Sequence, residues 1–150
     1  MLSATFDLKT LRAIPMFAPL SDDELEYIRP HLSVRTVSTG DLAFSEGAAG
    51  DELFILLSGE VKVIKGHRLP EERVLAVLGP VEAFGEMSLL TGERRTATVV
   101  ATEPSRFLTL TQEALEGVLL KHPDVSLALL RDAYTRLRKV QDRLIADSIR

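Results

Sequence analysis

Between residues 32 and 110 the chain is cut by glycines into short apolar runs, and this punctuation limits its fold more than any other feature. Candidate strands are Ser33–Ser38, Leu42–Ser45, Leu53–Leu57, Glu60–Lys65, Arg73–Leu78, Thr96–Thr102 and Arg106–Leu110. Turn signals separate them at Thr39-Gly40-Asp41, Glu46-Gly47, Ser58-Gly59, Gly66 and Gly79-Pro80. Many short, evenly spaced strands predict a sandwich or a barrel-like roll. Both ends of the chain read helical. In residues 1–31, Ser21-Asp22-Asp23-Glu24 is a capping box, with Leu20 and Leu25 placed as its hydrophobic staple and Pro30 as a stop. From Thr111 onward, Pro123 divides a short helix from a longer one that starts near Asp124. The expectation is a single α+β domain over 1–150, with helices at 1–31 and 111–150 flanking the strands of 32–110.

A chain of 150 residues is long enough to bury about 68–70% of its unfolded surface. Its 45% hydrophobic and 27% charged residues exclude a wholly disordered chain. There is no cysteine, which removes disulfides, thiolate nucleophiles and Cys-based metal sites together and fits a reducing compartment. The net charge of -4 argues against a general nucleic-acid binder. The opening MLSATFDLKT has neither a basic n-region nor an apolar core, and the run Leu53–Leu57 is too short to span a bilayer. A cytoplasmic protein without membrane association is expected.

Catalytic motifs are missing. His31, His67 and His122 are scattered, and none lies in an H-E-x-x-H pattern. Ser88 is not in a G-x-S-x-G elbow, and neither a P-loop nor G-x-G-x-x-G occurs. No enzyme, metal or cofactor is expected.

The segment Phe84–Thr98, FGEMSLLTGERRTAT, carries the chemistry. Gly85 lets the backbone approach whatever lies above it. If Glu86 to Leu90 forms one helical turn, its first amides point outward as an anion site. Arg95 would complete a phosphate cradle with its fixed fork of donors. A carboxylate at Glu86 repels a phosphate but accepts from a hydroxyl. A ligand with one phosphate and one nearby free hydroxyl satisfies both residues, and a ribose 3′,5′-cyclic phosphate has that pattern. The alternative at this level is a surface ion pair between Glu86 and Arg95.

Phe84, Gly85, Glu86, Met87, Ser88, Leu89, Leu90, Arg95, Thr96, Ala97 and Thr98 fall without a gap on the phosphate-binding cassette that this segment resembles, that of the cyclic-nucleotide-binding domain family. EGAAGDELFILLSGEVKVI resembles the glycine-bearing hairpin of the same family, with Gly47, Gly50, Asp51 and Gly59 in register. LRAIPMFAPLSDDELEYI resembles its opening helices. The likeness implies an antiparallel, jelly-roll-like β-roll at 32–110, with the cassette at 84–98, between N-terminal helices and a long C-terminal helix. It also implies that Glu86 binds the ribose 2′-hydroxyl, Arg95 the cyclic phosphate, and the amides around Ser88 further phosphate oxygens. Val63 and Leu75 match apolar positions that face the base; simple core packing is the other reading. Arg94 falls on a variable, solvated position. Gly79-Pro80-Val81-Glu82-Ala83 departs from the family's usual Gly-Asp lead-in.

The ligand implied is cyclic AMP or cyclic GMP. The Arg-Thr-Ala at 95–97 resembles cyclic-GMP-dependent kinases, where threonine favours cyclic GMP, but the bacterial-style organisation favours cyclic AMP. Related bacterial transcription regulators continue into a helix-turn-helix domain, whereas this sequence ends at Arg150. Read as complete, it is a lone sensor acting through an unidentified protein effector; read as a fragment, its effector lies elsewhere. Either way, no nucleic acid binding by this chain alone is expected. The polar pair that caps the base in those regulators aligns with Val140 and Gln141, and Val140 has no polar side chain to offer. Leu130, Leu137 and Leu144 recur every seven residues, with Ala133 and Val140 between them. That stripe fits either a homodimer seam or packing on the chain's own strands. A ligand-independent scaffold that keeps the fold is the alternative function.

Overall fold

The computed structural model describes residues 7–18, 20–85, 88, 91–123, 126, 127, 130, 131, 134, 135, 138 and 142, without the side chains of 118 and 119. Among the described residues, eight strands form two four-stranded antiparallel sheets, as expected of a roll. They are β1 (Leu32–Val37), β2 (Leu42–Phe44), β3 (Glu52–Ser58), β4 (Val61–Lys65), β5 (Arg73–Leu78), β6 (Ala83–Phe84), β7 (Thr98–Ala101) and β8 (Ser105–Thr111). One sheet has the order β1-β8-β3-β6, the other β2-β7-β4-β5. Helices α1 (Leu8–Arg12) and α2 (Asp22–Ile28) precede the strands, and α3 (Gln112–Lys121) follows them.

The run LFILL in β3 is continuously apolar because both of its faces are covered. Leu53 and Ile55 join α1, α2 and α3 in one apolar cluster that includes Leu11, Phe17, Leu25 and Leu115. Phe54 and Leu56 point the other way, into the roll, with Val61, Phe84, Val99 and Phe107. Alternate side chains of one strand therefore build two cores. The roll interior is largely aromatic: Phe54 stacks on Phe84 with centroids 5.2 Å apart, and Phe107 meets Phe54 edge-on at 5.7 Å.

The N-terminal cap forms as the sequence predicts. Glu24 N donates to Ser21 Oγ at 3.2 Å, and Ser21 N donates to Glu24 Oε1 at 2.8 Å. Leu20 and Leu25 are both buried in the helix-side cluster, and α2 stops at Ile28 before a 3-10 turn at Arg29–His31. Strand β6 leaves no signal in the sequence, because two residues carry no periodicity; it is defined by pairing with Phe54 and Ile55. Strand β7 starts at Thr98, not Thr96, because Arg95 and Thr96 spend their backbone groups elsewhere.

Beyond Pro123 the described residues are adjacent pairs or single positions. The long C-terminal helix as an element, with Ala133, Arg136, Leu137, Val140, Gln141 and Leu144, lies outside them. Leu130 is described and is 60% exposed.

Candidate functional site

The backbone of Arg95 is secured before its side chain is placed. Arg95 N donates to Ala48 O and Gly47 N donates to Arg95 O, each at 2.8 Å. These bonds tie Arg95 to the loop between β2 and β3. The side chain then turns inward and is only 4% exposed. Nη1 donates to Gly85 O and Nη2 to Glu52 O, both at 2.8 Å. The guanidinium carbon lies 4.0 Å from the centroid of Phe44 and 5.7 Å from that of Phe54. Burying a charge is costly unless acceptors and polarisable faces compensate it, and here main-chain carbonyls and two rings do so.

Two glycines make room for this arrangement. A Cβ on Gly50 would lie 2.5 Å from Ser88 Cβ and 2.7 Å from Arg95 Nε. One on Gly85 would lie 2.8 Å from Arg95 Nη1, and Gly85 also has φ +86°, a conformation that side chains disfavour. Ser88, helical and 5% exposed, closes the third side. Gly92 N donates to Ser88 O at 2.9 Å.

Thr96 is exposed beside the buried Arg95. Its carbonyl accepts from Lys65 Nζ at 3.0 Å, and Lys65 also pairs with Glu46 Oε2 at 2.8 Å. Gly66 N donates to Glu46 Oε1 at 3.0 Å. Lys65 first, then the Gly66 amide, hold the Glu46 carboxyl below its ordinary range.

Of the residues singled out from the sequence, Gly85, Ser88 and Arg95 are brought into direct proximity, and Thr96 follows at the surface. Val63 is half-buried and packs on the roll interior alongside Phe44, opposite Val99 in β7. Leu75 is the extra residue of a β-bulge in β5 and is half-buried. Glu86 and Met87 lie outside the described residues. Arg94 is exposed, and its Nη1 donates to Gly47 O at 3.1 Å. Among the described residues, no group of three or more His, Cys, Asp or Glu is placed to hold a metal ion. No helix there is long and apolar enough to cross a membrane.

Sequence reasoning missed Phe44, the carbonyl of Glu52 and the Glu46–Lys65 pair. Phe44 reads as an ordinary strand residue, and a carbonyl has no sequence signature. Gly50 is in register with the family hairpin, but its steric role appears only when Ser88 and Arg95 are folded against it.

Residues 34–122 match the family model described as the cyclic nucleotide-binding domain. The cyclic AMP receptor protein of Thermus thermophilus is 33% identical over 129 residues, covering 86% of this chain and 60% of that protein. The CRP-like cAMP-activated global transcriptional regulator of Mycobacterium tuberculosis is 35% identical over 107 residues, covering 70% of this chain and 47% of the regulator. A crystal structure of a cyclic nucleotide-binding domain from Methylobacillus flagellatus superimposes with a TM-score of 0.79 at 30% identity, covering 93% of this chain and 81% of that one. The fold is the β-roll of a cyclic nucleotide-binding domain. The chain belongs to the cyclic nucleotide-binding domain family. It spans about half to three-fifths of the length of these two sequence relatives.

Proposed function

We propose that this chain is a sensor that binds a 3′,5′-cyclic nucleotide, cyclic AMP in preference to cyclic GMP, and passes the signal to a protein effector through its C-terminal helix. The observation that carries this reading is the buried guanidinium of Arg95, packed against Gly50, Gly85 and Ser88 at the end of the cassette. In this reading Arg95 takes the cyclic phosphate, Ser88 and the neighbouring amides add donors, and Glu86 accepts from the 2′-hydroxyl. Met87 is counted with the ligand-binding residues of the cassette, and Thr96 stands beside the phosphate. Val63 and Leu75 offer apolar contact to the base.

The names of the Thermus and Mycobacterium relatives, a receptor for and a regulator activated by cyclic AMP, support the choice of nucleotide. The output is an interaction surface on the C-terminal helix, which a homodimer through Leu130, Leu137 and Leu144 would also use. Exposure of Leu130 favours that seam over packing within the chain. The chain alone does not bind DNA specifically, given its net charge of -4. Its place of action is the cytoplasm, and it is not an enzyme.

The test is direct. Purified protein is denatured and released nucleotide is identified by mass spectrometry, followed by calorimetric titration with cyclic AMP and cyclic GMP. Saturable binding that Arg95→Ala abolishes supports the reading. Failure of the wild type to bind either nucleotide favours a ligand-independent scaffold.

A further inference from the structure

Glu46 and Lys65 are 19 positions apart in the sequence, yet they join three segments around Thr96. The Glu46 carboxylate holds Lys65 Nζ with one oxygen and the Gly66 amide with the other. Lys65 donates onward to Thr96 O. Glu46 N donates to Thr98 Oγ1 at 2.9 Å, so the same loop residue grips the chain on the far side of Thr96. Just before Thr96, the carbonyl of Arg95 is already held by Gly47 N. The peptide that sets the direction of the Thr96 side chain is therefore bonded at its carbonyl by one cation, and that cation is aimed by one carboxylate.

We propose that Lys65, oriented by Glu46, is a positioning residue for the cyclic nucleotide: it fixes the Thr96 peptide so that the hydroxyl stands ready beside the phosphate. This rests on the ligand reading above. Geometry separates the pair from an ordinary surface ion pair, which contributes little because two mobile side chains must be ordered for one contact. Here each partner makes a second hydrogen bond, Lys65 to the Thr96 carbonyl and the Glu46 carboxylate to the Gly66 amide next to Lys65. A preorganised donor loses less on binding than a mobile one. Glu46 and Lys65 are 33% and 48% exposed at their side chains, so water still screens the pair and the effect is moderate.

Calorimetric titration of the whole chain with cyclic AMP and with cyclic GMP tests this in five variants beside the wild type, the single Thr96→Ala among them. Lys65→Met is expected to bind about three- to tenfold more weakly. Lys65→Arg keeps a donor within reach of the Thr96 carbonyl and restores most of the affinity. The exchange Glu46→Lys with Lys65→Glu retains a salt bridge but places no donor at Thr96 O, so its affinity stays low. A merely structural ion pair would be restored by that exchange, and full recovery there overturns the proposal. In a Thr96→Ala background, Lys65→Met is expected to have little further effect, because its action passes through the hydroxyl; fully additive losses overturn the proposal as well. Should Lys65→Met fail to fold, Lys65→Arg and the exchange still decide. A wild type that binds neither nucleotide removes the ligand reading and this inference with it, whereas equal binding by wild type and Lys65→Met removes only this inference.

Discussion

The guanidinium of Arg95 lies over the ring of Phe44, 4.0 Å from its centroid. Phe44 in turn packs on Phe54 and Phe84 in the roll interior, so the charge proposed to take the phosphate rests directly on the core. Phe44→Leu removes the π-face and keeps an apolar side chain. The expected loss is about 0.5–2 kcal/mol of ligand affinity, read by calorimetry, with the fold preserved by circular dichroism. Unchanged affinity would mean that the ring serves packing alone.

Arg95→Ala should weaken cyclic nucleotide binding by about 2–5 kcal/mol, or roughly one and a half to almost four decades. It also strips Gly85 O and Glu52 O of their donor. A loss of stability of about 1–3 kcal/mol is expected from that, seen as a lower urea midpoint. Arg95→Lys should recover little affinity, since an ammonium cannot reach both carbonyls and cover a ring at once. Wild-type affinity in either variant contradicts the role given to this side chain.

Gly50 and Gly79 separate steric from generic effects of glycine replacement. Neither has a positive φ, and a Cβ at Gly79 would meet nothing within 4 Å. Gly50→Ala forces Ser88 and Arg95 apart, with an expected stability cost of about 1–3 kcal/mol and a marked loss of ligand affinity. Gly79→Ala should leave both unchanged. Thermal melting and titration of the two variants side by side check the contrast.

Thr96→Ala tests nucleotide choice. One hydrogen bond from a neutral hydroxyl contributes about 0.5–1.5 kcal/mol net, so cyclic AMP and cyclic GMP should bind the wild type within roughly tenfold of each other. Competition titrations should favour cyclic AMP. A strong preference for cyclic GMP that disappears in Thr96→Ala would reverse the assignment and identify the hydroxyl as its cause.

The capping box predicts a pH effect at α2. The Ser21 amide first, then the Ser21 hydroxyl and His122, hold the Glu24 carboxyl below the ordinary glutamate value of 4.5. A carboxyl depressed in the folded state stabilises above its unfolded pKa, and that stabilisation is lost as pH falls through the folded value. The melting advantage of wild type over Glu24→Gln should therefore be full near neutrality and shrink below about pH 4.5. An advantage that is constant down to pH 3 would show that the carboxylate charge is not what matters.

The legibility of this protein follows from the range of its interactions. Ser21 and Glu24 are three residues apart, so their cap could be read directly. The doubly covered β3 announces itself as LFILL, and the glycine punctuation set the number and spacing of most strands. The cassette, too, is contiguous from Phe84 to Thr98, which is why its resemblance could be seen. What tertiary structure alone decided are contacts across long separations, made to atoms that every residue shares. Arg95 reaches the carbonyl of Glu52 and the space above Gly50, and Lys65 reaches the carbonyl of Thr96. Main-chain oxygens give no pattern along the chain, and a glycine does not show which side chains it makes room for. They acquire meaning only when folding carries the loop before β3, the end of β4 and the start of β7 to one place.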